Sequence, residues 1–232
     1  MKAMILAAGR GERMRPLTDH RPKPLLAAGG KPLIVWHIER LVAAGLPDIV
    51  INCAWLADAL QGALGDGRRF GARIQWSREE PALETAGGIA NALPLLGPDP
   101  FLVVNGDVWC DWDFGQATTR ARQLHSAGAQ AWLLLVENPS HHPQGDFLLQ
   151  ESGQVRAPAA ANPAALTFSG IGLYCPSLFE TVPVQPTPLA PLLREAMNRS
   201  AVIGERHSGT WMDIGTPERL HTLDALLSNQ AL

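Results

Sequence analysis

The chain has 232 residues, 46% of them hydrophobic and 18% charged, with a net charge of −3. That supplies apolar material for one sizeable core, most simply a single α/β domain over residues 1–232. No apolar run reaches the ~18 residues of a membrane span, the apolar part of MKAMILAAGRG is too short for an export signal, and no Lys/Arg tract suits a nucleic acid. We therefore expect a soluble, cytoplasmic protein, a monomer or small homo-oligomer, with neither membrane nor nucleic-acid partners. Cys53, Cys110 and Cys175 are odd in number and widely spaced, which suits reduced thiols rather than disulfides or a zinc site.

In chain order, short β-rich runs at 2–7 (KAMILA), 48–53 (DIVINC), 72–77 (ARIQWS) and 101–107 (FLVVNGD) read as strands. Between them, PLIVWHIERLVAAG places Ile34, Ile38, Leu41 and Val42 on one helical face, with Pro32 at its entry and Gly45 past its end; His37 falls on the charged side. LADALQGALG and ETAGGIANALPLL are the next two helices, the second weakened by Gly87 and Gly88. Strand and helix alternating in this way imply right-handed crossovers and a mostly parallel sheet covered on both faces. Further on, AWLLLVEN, DFLLQESGQVR (turning at SGQ) and LTFSGIGLYC read as strands. SLFETV, LAPLLREAMNRS and TPERLHTLDALLSNQ read as helices, and APAAANPAAL as a loop.

The first strand runs into AAGRGERMRPLTDHRPKPLL, which carries five Arg/Lys side chains and two glycines. Gly9 and Gly11 let backbone N–H groups turn toward an anion with no Cβ in the way. Arg13, Arg15 and Lys23 add charge, and Lys23, between Pro22 and Pro24, is expected on a stiff extended segment. No GxxxxGK[ST] occurs, and Met14 stands where GxGxxG needs its third glycine, which argues against a P-loop and against a dinucleotide fold. A basic surface loop is the plain alternative.

LAAGRGERMRPLT followed by RPKPLL resembles the signature of the sugar-1-phosphate nucleotidyltransferases. ETAGGIANAL (84–93) resembles that family's base-binding turn, VVNGD (103–107) its metal aspartate, and WMDIGTPERL (211–220) its second aspartate and closing helix. The resemblance implies a Rossmann-like, twisted, mostly parallel sheet with helices on both faces and no C-terminal β-helix. It implies a nucleotide-binding half over 1–110 and a sugar-phosphate half over 111–232. The nucleoside triphosphate would be held by Ala8, Gly9, Gly11, Glu12, Arg13, Lys23, Gly87 and Gly88, with Arg13 and Lys23 catalytic, and Asp107 and Asp213 would bind Mg²⁺. The sugar pocket would draw on Asn105, Asp146, Phe147 and Gly170.

Each element also has a physical reading of its own. Asp107 ends an apolar strand, at the carboxyl edge where open parallel sheets bind ligands. An Asp there is equally a common turn former, and Gly87 and Gly88 equally mark a helix start or a close packing contact. A sugar 1-phosphate carries about −1.5 to −2 at neutral pH and needs no general base. The task is to bring it to a triphosphate, by positioning and charge neutralisation. His141 and His142 read as a solvent loop, and Trp109 and Trp112 as rim or core. Many relatives carry an EKP element near 155 whose lysine grips the sugar phosphate; here RAPAAANP stands instead, with Arg156 as the available cation. Among compact members of the family, which act on glucose, mannose, heptose or N-acetylmuramate 1-phosphates, the resemblance is strongest to those joining UTP to N-acetylmuramate 1-phosphate.

Overall fold

The computed structural model describes residues 1–230. The chain starts with β1 (Ala3–Leu6) and a long loop, then a two-residue hairpin of β2 (Ala27–Ala28) and β3 (Lys31–Pro32), α1 (Leu33–Ala43), β4 (Asp48–Cys53), α2 (Ala57–Leu64), β5 (Arg73–Arg78) and α3 (Glu84–Leu96). It continues through β6 (Phe101–Asn105), β7 (Val108–Cys110), α4 (Ala117–Ser126), β8 (Ala131–Val136), the short β9 (Leu148–Leu149) and β10 (Val155–Arg156), and β11 (Thr167–Tyr174). α5 (Leu189–Asn198), β12 (Val202–Arg206), β13 (Trp211–Asp213) and α6 (Pro217–Gln230) complete it. No helix among the described residues is long and apolar enough to cross a membrane.

Seven strands form one sheet in the order β12-β8-β11-β6-β1-β4-β5. β1 runs parallel to both its neighbours, β4 and β6, and β11 is antiparallel to β6 and β8, so one strand is reversed in an otherwise parallel sheet. Two buried clusters cover the faces, one under α1, α2 and α4, the other under α3 and α5. Each apolar strand face thus has a helix to pack on, as the alternation of elements requires. After β1 the chain crosses to β4 on one side, whereas β6 lies on the other. The strand order therefore reverses at β1, and the carboxyl ends of β1 and β6 open a crevice there.

The strand over 48–53 and the helix over 84–96 have the bounds the sequence indicates. SLFETV gives only the 3₁₀ turn Pro176–Leu178, because Pro183, Pro186 and Pro188 leave no room for a helix to extend. α4 and β12 have no counterpart in the sequence reading. α4 buries only Ala117 and Leu124, too sparse a stripe to register as a period, and β12 is a five-residue edge strand interrupted by Gly204.

His37 departs from the expectation that it sits on the charged side of α1. It is 2% exposed, in the row with Ile34, Ile38 and Leu41, and its Nδ1 has no hydrogen-bond partner among the described residues. Burial, with Arg40 nearby, pushes the imidazole down to about 4. Because the unfolded group titrates near 6.5, the stability tied to neutral His37 is present above that pH and is lost as the pH falls toward 4, in total about 3 kcal/mol. Denaturant unfolding of His37→Leu between pH 7 and 4.5 should therefore show a shallower fall in stability than the parent. Identical pH slopes would mean that His37 takes up its proton as readily in the folded as in the unfolded chain.

Candidate functional site

The crevice at the ends of β1 and β6 is a cleft of about 850 Å³, lined by residues from both halves of the chain. Its first wall is the loop after β1. Ala7 donates its N–H to Asn52 Oδ1 (2.7 Å), which anchors the start of the loop to β4. A Cβ on Gly9 would meet nothing within 4 Å, so its flank faces open space, whereas Gly11, at φ +66°, packs under the aliphatic stem of Lys23. Thr18 Oγ1 and the Met14 N–H both donate to Gly11 O. Glu12 and Arg13 line the cleft, with Glu12 highly exposed, 3.9 Å from Arg10.

Lys23 is 7% exposed and opens a single 3₁₀ turn, Lys23–Leu25, rather than the extended segment its flanking prolines suggest. Only the residues flanking the turn, Pro22 (ψ 137°) and Leu26 (ψ 139°), are extended. The turn closes because Leu25 N donates to Pro22 O and Leu26 N to Lys23 O, the two donors that the proline pair leaves intact. The ammonium donates to Asp107 Oδ2 at 2.6 Å, across the mouth between the β1 loop and the end of β6. Asp107 reaches that point because Gly106 passes tight against β1: its N–H donates to Leu6 O, and a Cβ there would lie 2.7 Å from the same oxygen.

Asp213 arrives from the far end of the sequence. β13 pairs with β7 antiparallel, setting Asp213 opposite Val108, and Ile214 N donates to Asp107 O (2.7 Å), so the two aspartates leave neighbouring strands. Asp213 accepts from Arg219 Nη1 on both oxygens (2.5 and 2.6 Å), and His141 Nε2 lies 2.8 Å from Oδ1. Asp107 and Asp213 are hard oxygen donors, about 45% and 25% exposed at the side chain. As a donor set they fit a divalent cation that takes one or two carboxylates and fills its other positions with water or phosphate oxygens.

The opposite wall holds Asn105, Asp146 and Phe147. Asp146 is fixed from two directions, accepting from Phe168 N (2.8 Å) and lying 3.1 Å from His142 Nε2. Gly170, at φ +80° beside a bulge in β11, does not face the cleft. A Cβ there would lie 2.6 Å from Asn105 Nδ2, so its bareness makes room for Asn105. Gly87 and Gly88 are likewise buried behind the wall. A Cβ on Gly87 would strike Gln185 O, and one on Gly88 would strike Glu79 Oε1, while Gly87 N and Ala86 N both donate to Thr187 O. These two glycines are close packing contacts, and Ala82, Glu84 and Thr85 from the same stretch line the cleft instead.

Arg156 is committed elsewhere. Its guanidinium donates to Met197 O, Ser200 Oγ and Gln154 Oε1, closing the carboxyl end of α5, so it is not free for an acceptor. Trp109 and Trp112 are core residues, 8% and 3% exposed. His141 and His142, read from sequence as a solvent loop, are half-exposed yet lean onto Asp213 and Asp146.

Three further residues at or beside the cleft have no part in the sequence reading: Asn52 and Glu79, which line it, and Arg219, which lies against its residue Gly215. Only Asn52 leaves a signal, as the single polar residue inside the apolar run IVINC. Glu79 is 2% exposed. It accepts from Asn52 Nδ2 (2.7 Å) and Leu83 N (2.8 Å), and burial raises its carboxyl above the usual range despite those bonds.

The model of the nucleotidyl transferase family matches residues 2–230. The chain is 54% identical to the N-acetylmuramate alpha-1-phosphate uridylyltransferase of Neisseria meningitidis serogroup B, over 97% of this chain and 98% of that protein. It is 35% identical to the Caulobacter vibrioides protein of the same name, over 97% and 96%. Its fold superposes on a crystal structure of apo UDP-glucose pyrophosphorylase with a TM-score of 0.81 at 20% identity, covering all of both chains.

Asn52 ties the loop after β1 to the buried Glu79. Asn52→Ala leaves Ala7 N–H and one Glu79 oxygen without partners, and should cost about 2 kcal/mol or more in urea unfolding. A loss under about 0.5 kcal/mol would mean that neither bond is made.

Proposed function

The chain belongs to the nucleotidyl transferase family, and on that premise we propose that it joins UTP to N-acetylmuramate α-1-phosphate, giving UDP-N-acetylmuramate and pyrophosphate in the cytoplasm. The observation that carries the choice of substrates is the 54% identity, end to end, with a protein named for that reaction. The class of reaction is supported separately by a cleft at the strand-order reversal whose lining includes Lys23, Arg13 and Asp107, with Asp213 brought alongside by the β7–β13 pairing.

In this reading the acceptor phosphate is the nucleophile. Already an anion at neutral pH, it needs no base, and no histidine is asked to act as one. Residues 1–110 bind chiefly the nucleotide and 111–232 chiefly the sugar phosphate, although Asp213 and Gly215 come back to the nucleotide side. The open flank of Gly9 gives the triphosphate room to lie against the loop backbone. Lys23, its stem wedged over Gly11, holds its ammonium in place before any ligand arrives. That arrangement requires little reorganisation when negative charge builds at the α-phosphate. Arg13, which has no ion-pair partner among the described residues, is free to meet the departing pyrophosphate. Asp107 and Asp213 would hold Mg²⁺, which supplies charge neutralisation on the phosphate oxygens when bound. Asn105, whose side chain makes no hydrogen bond among the described residues, and the braced Asp146 face the sugar.

A panel of nucleoside triphosphates against several sugar 1-phosphates, read by pyrophosphate release, should give UTP with N-acetylmuramate 1-phosphate as the preferred pair, and no product in excess EDTA. If the lactyl carboxylate meets a cation of the cleft, N-acetylglucosamine 1-phosphate, which lacks that group, should be poorer by at least about tenfold in kcat/KM, the scale of one charge-assisted hydrogen bond. Equal or better turnover of dTTP with glucose 1-phosphate would overturn the choice of substrates. Full activity in EDTA would overturn the two-carboxylate reading.

A further inference from the structure

Arg219 lies in the first turn of α6, with its side chain about 19% exposed. One terminal nitrogen, Nη1, is used on Asp213. The other points toward Gly215, a buried residue that lines the cleft. A Cβ on Gly215 would lie 2.6 Å from Arg219 Nη2 and 3.1 Å from Arg13 Nη2, with Asp213 Oδ2 also at 3.1 Å. Two guanidiniums, one from the β1 loop and one from α6, thus converge on the bare side of one glycine, where a single carboxylate, paired with Arg219, also lies.

That arrangement is electrostatically incomplete. Asp213 balances one of the two cations, and Arg13 has no ion-pair partner among the described residues. Any divalent cation taken up by Asp213 would withdraw even that balance. Arg13 lines the cleft and Arg219 lies behind Gly215; two arginines held together with an unmatched charge are suited to an anion, and their planar forks fit phosphate oxygens. Gly215 contributes by absence: without a side chain, both forks close over it.

We propose that Arg219 binds a phosphoryl group of the reactants, acting with Arg13 as a two-arginine clamp whose spacing is set by Gly215. The inference rests on the nucleotidyl-transfer reading and adds a residue to it. Two phosphoryl sources share this chemistry, the pyrophosphate end of the triphosphate and the phosphate of the acceptor.

The test is isothermal titration calorimetry in EDTA, with inorganic pyrophosphate in one arm and N-acetylmuramate 1-phosphate in the other. The parent is compared with Arg219→Gln and Gly215→Ala, each checked for an unchanged thermal unfolding temperature. Gly215→Ala keeps both charges and pushes the forks apart, so it separates a clamp from a mere partner for Asp213. Arg219→Gln should weaken one of the two probes by about tenfold or more, the scale of a charge-assisted hydrogen bond. Gly215→Ala should weaken the same probe several-fold. A loss confined to pyrophosphate identifies the donor's end, and a loss confined to the sugar phosphate identifies the acceptor. Folded variants that bind both probes within twofold of the parent would overturn the clamp, as would a parent that binds neither. A parent that binds pyrophosphate through Arg219 yet turns over no UTP would leave the clamp standing and strike only the proposed reaction.

Discussion

The contact between Lys23 and Asp107 is the one on which the cleft depends. It joins the loop after β1 to the end of β6, the two strands whose carboxyl ends open the crevice. Two glycines make it possible, Gly11 beneath the lysine stem and Gly106 where the chain turns past Leu6 O. Once Asp107 is fixed there, β7 follows directly, and its pairing with β13 carries Asp213 and Gly215 to the same edge. Residues 84 positions apart in one case and about a hundred in the other meet through the register of the sheet rather than through any local motif.

The charges of the cleft and the stability of the fold have separate sources. The fold is held by two apolar clusters on either side of the sheet and a third that includes Leu223 and Leu227 of α6, whereas the ion pairs of the cleft involve partly exposed carboxylates. Pairs of that kind contribute little to folding, typically under about 1 kcal/mol. In the proposed reading they keep basic side chains in position for a phosphate, with Asp107 under Lys23 and Asp213 under Arg219 and His141. Glu79 is the exception, because it is buried and its hydrogen bonds to Asn52 and Leu83 join the cleft wall to the core.

Much of this was legible in the sequence where one local rule operated. IVINC and ETAGGIANALPLL read as strand and helix because β-branched runs and helical apolar periods are short-range signals, and the glycines and basic residues after β1 marked a candidate anion site for the same reason. What stayed hidden was set by tertiary packing. His37 looks polar on a helical wheel but is enclosed by the sheet. For Gly87 and Gly88 the sequence leaves a base-binding turn and a close packing contact both open, and it offers Gly170 for a sugar pocket; which neighbour fills the bare side of each, namely Gln185, Glu79 and Asn105, only the fold supplies. Arg219 looks like an ordinary residue in a first helical turn until the β7–β13 pairing aims it at Gly215.

The central claim is that Lys23 is placed for a phosphate and not for the fold, and one protein tests both halves of it. In Lys23→Ala, the rate of pyrophosphate release at saturating substrates and the free energy of unfolding are measured on the same preparation. The account predicts a fall in kcat of roughly 10²-fold or more, as for the loss of one preorganised electrostatic group, with stability changed by no more than about 1 kcal/mol. An unchanged kcat, with any loss confined to KM or to stability, would contradict it.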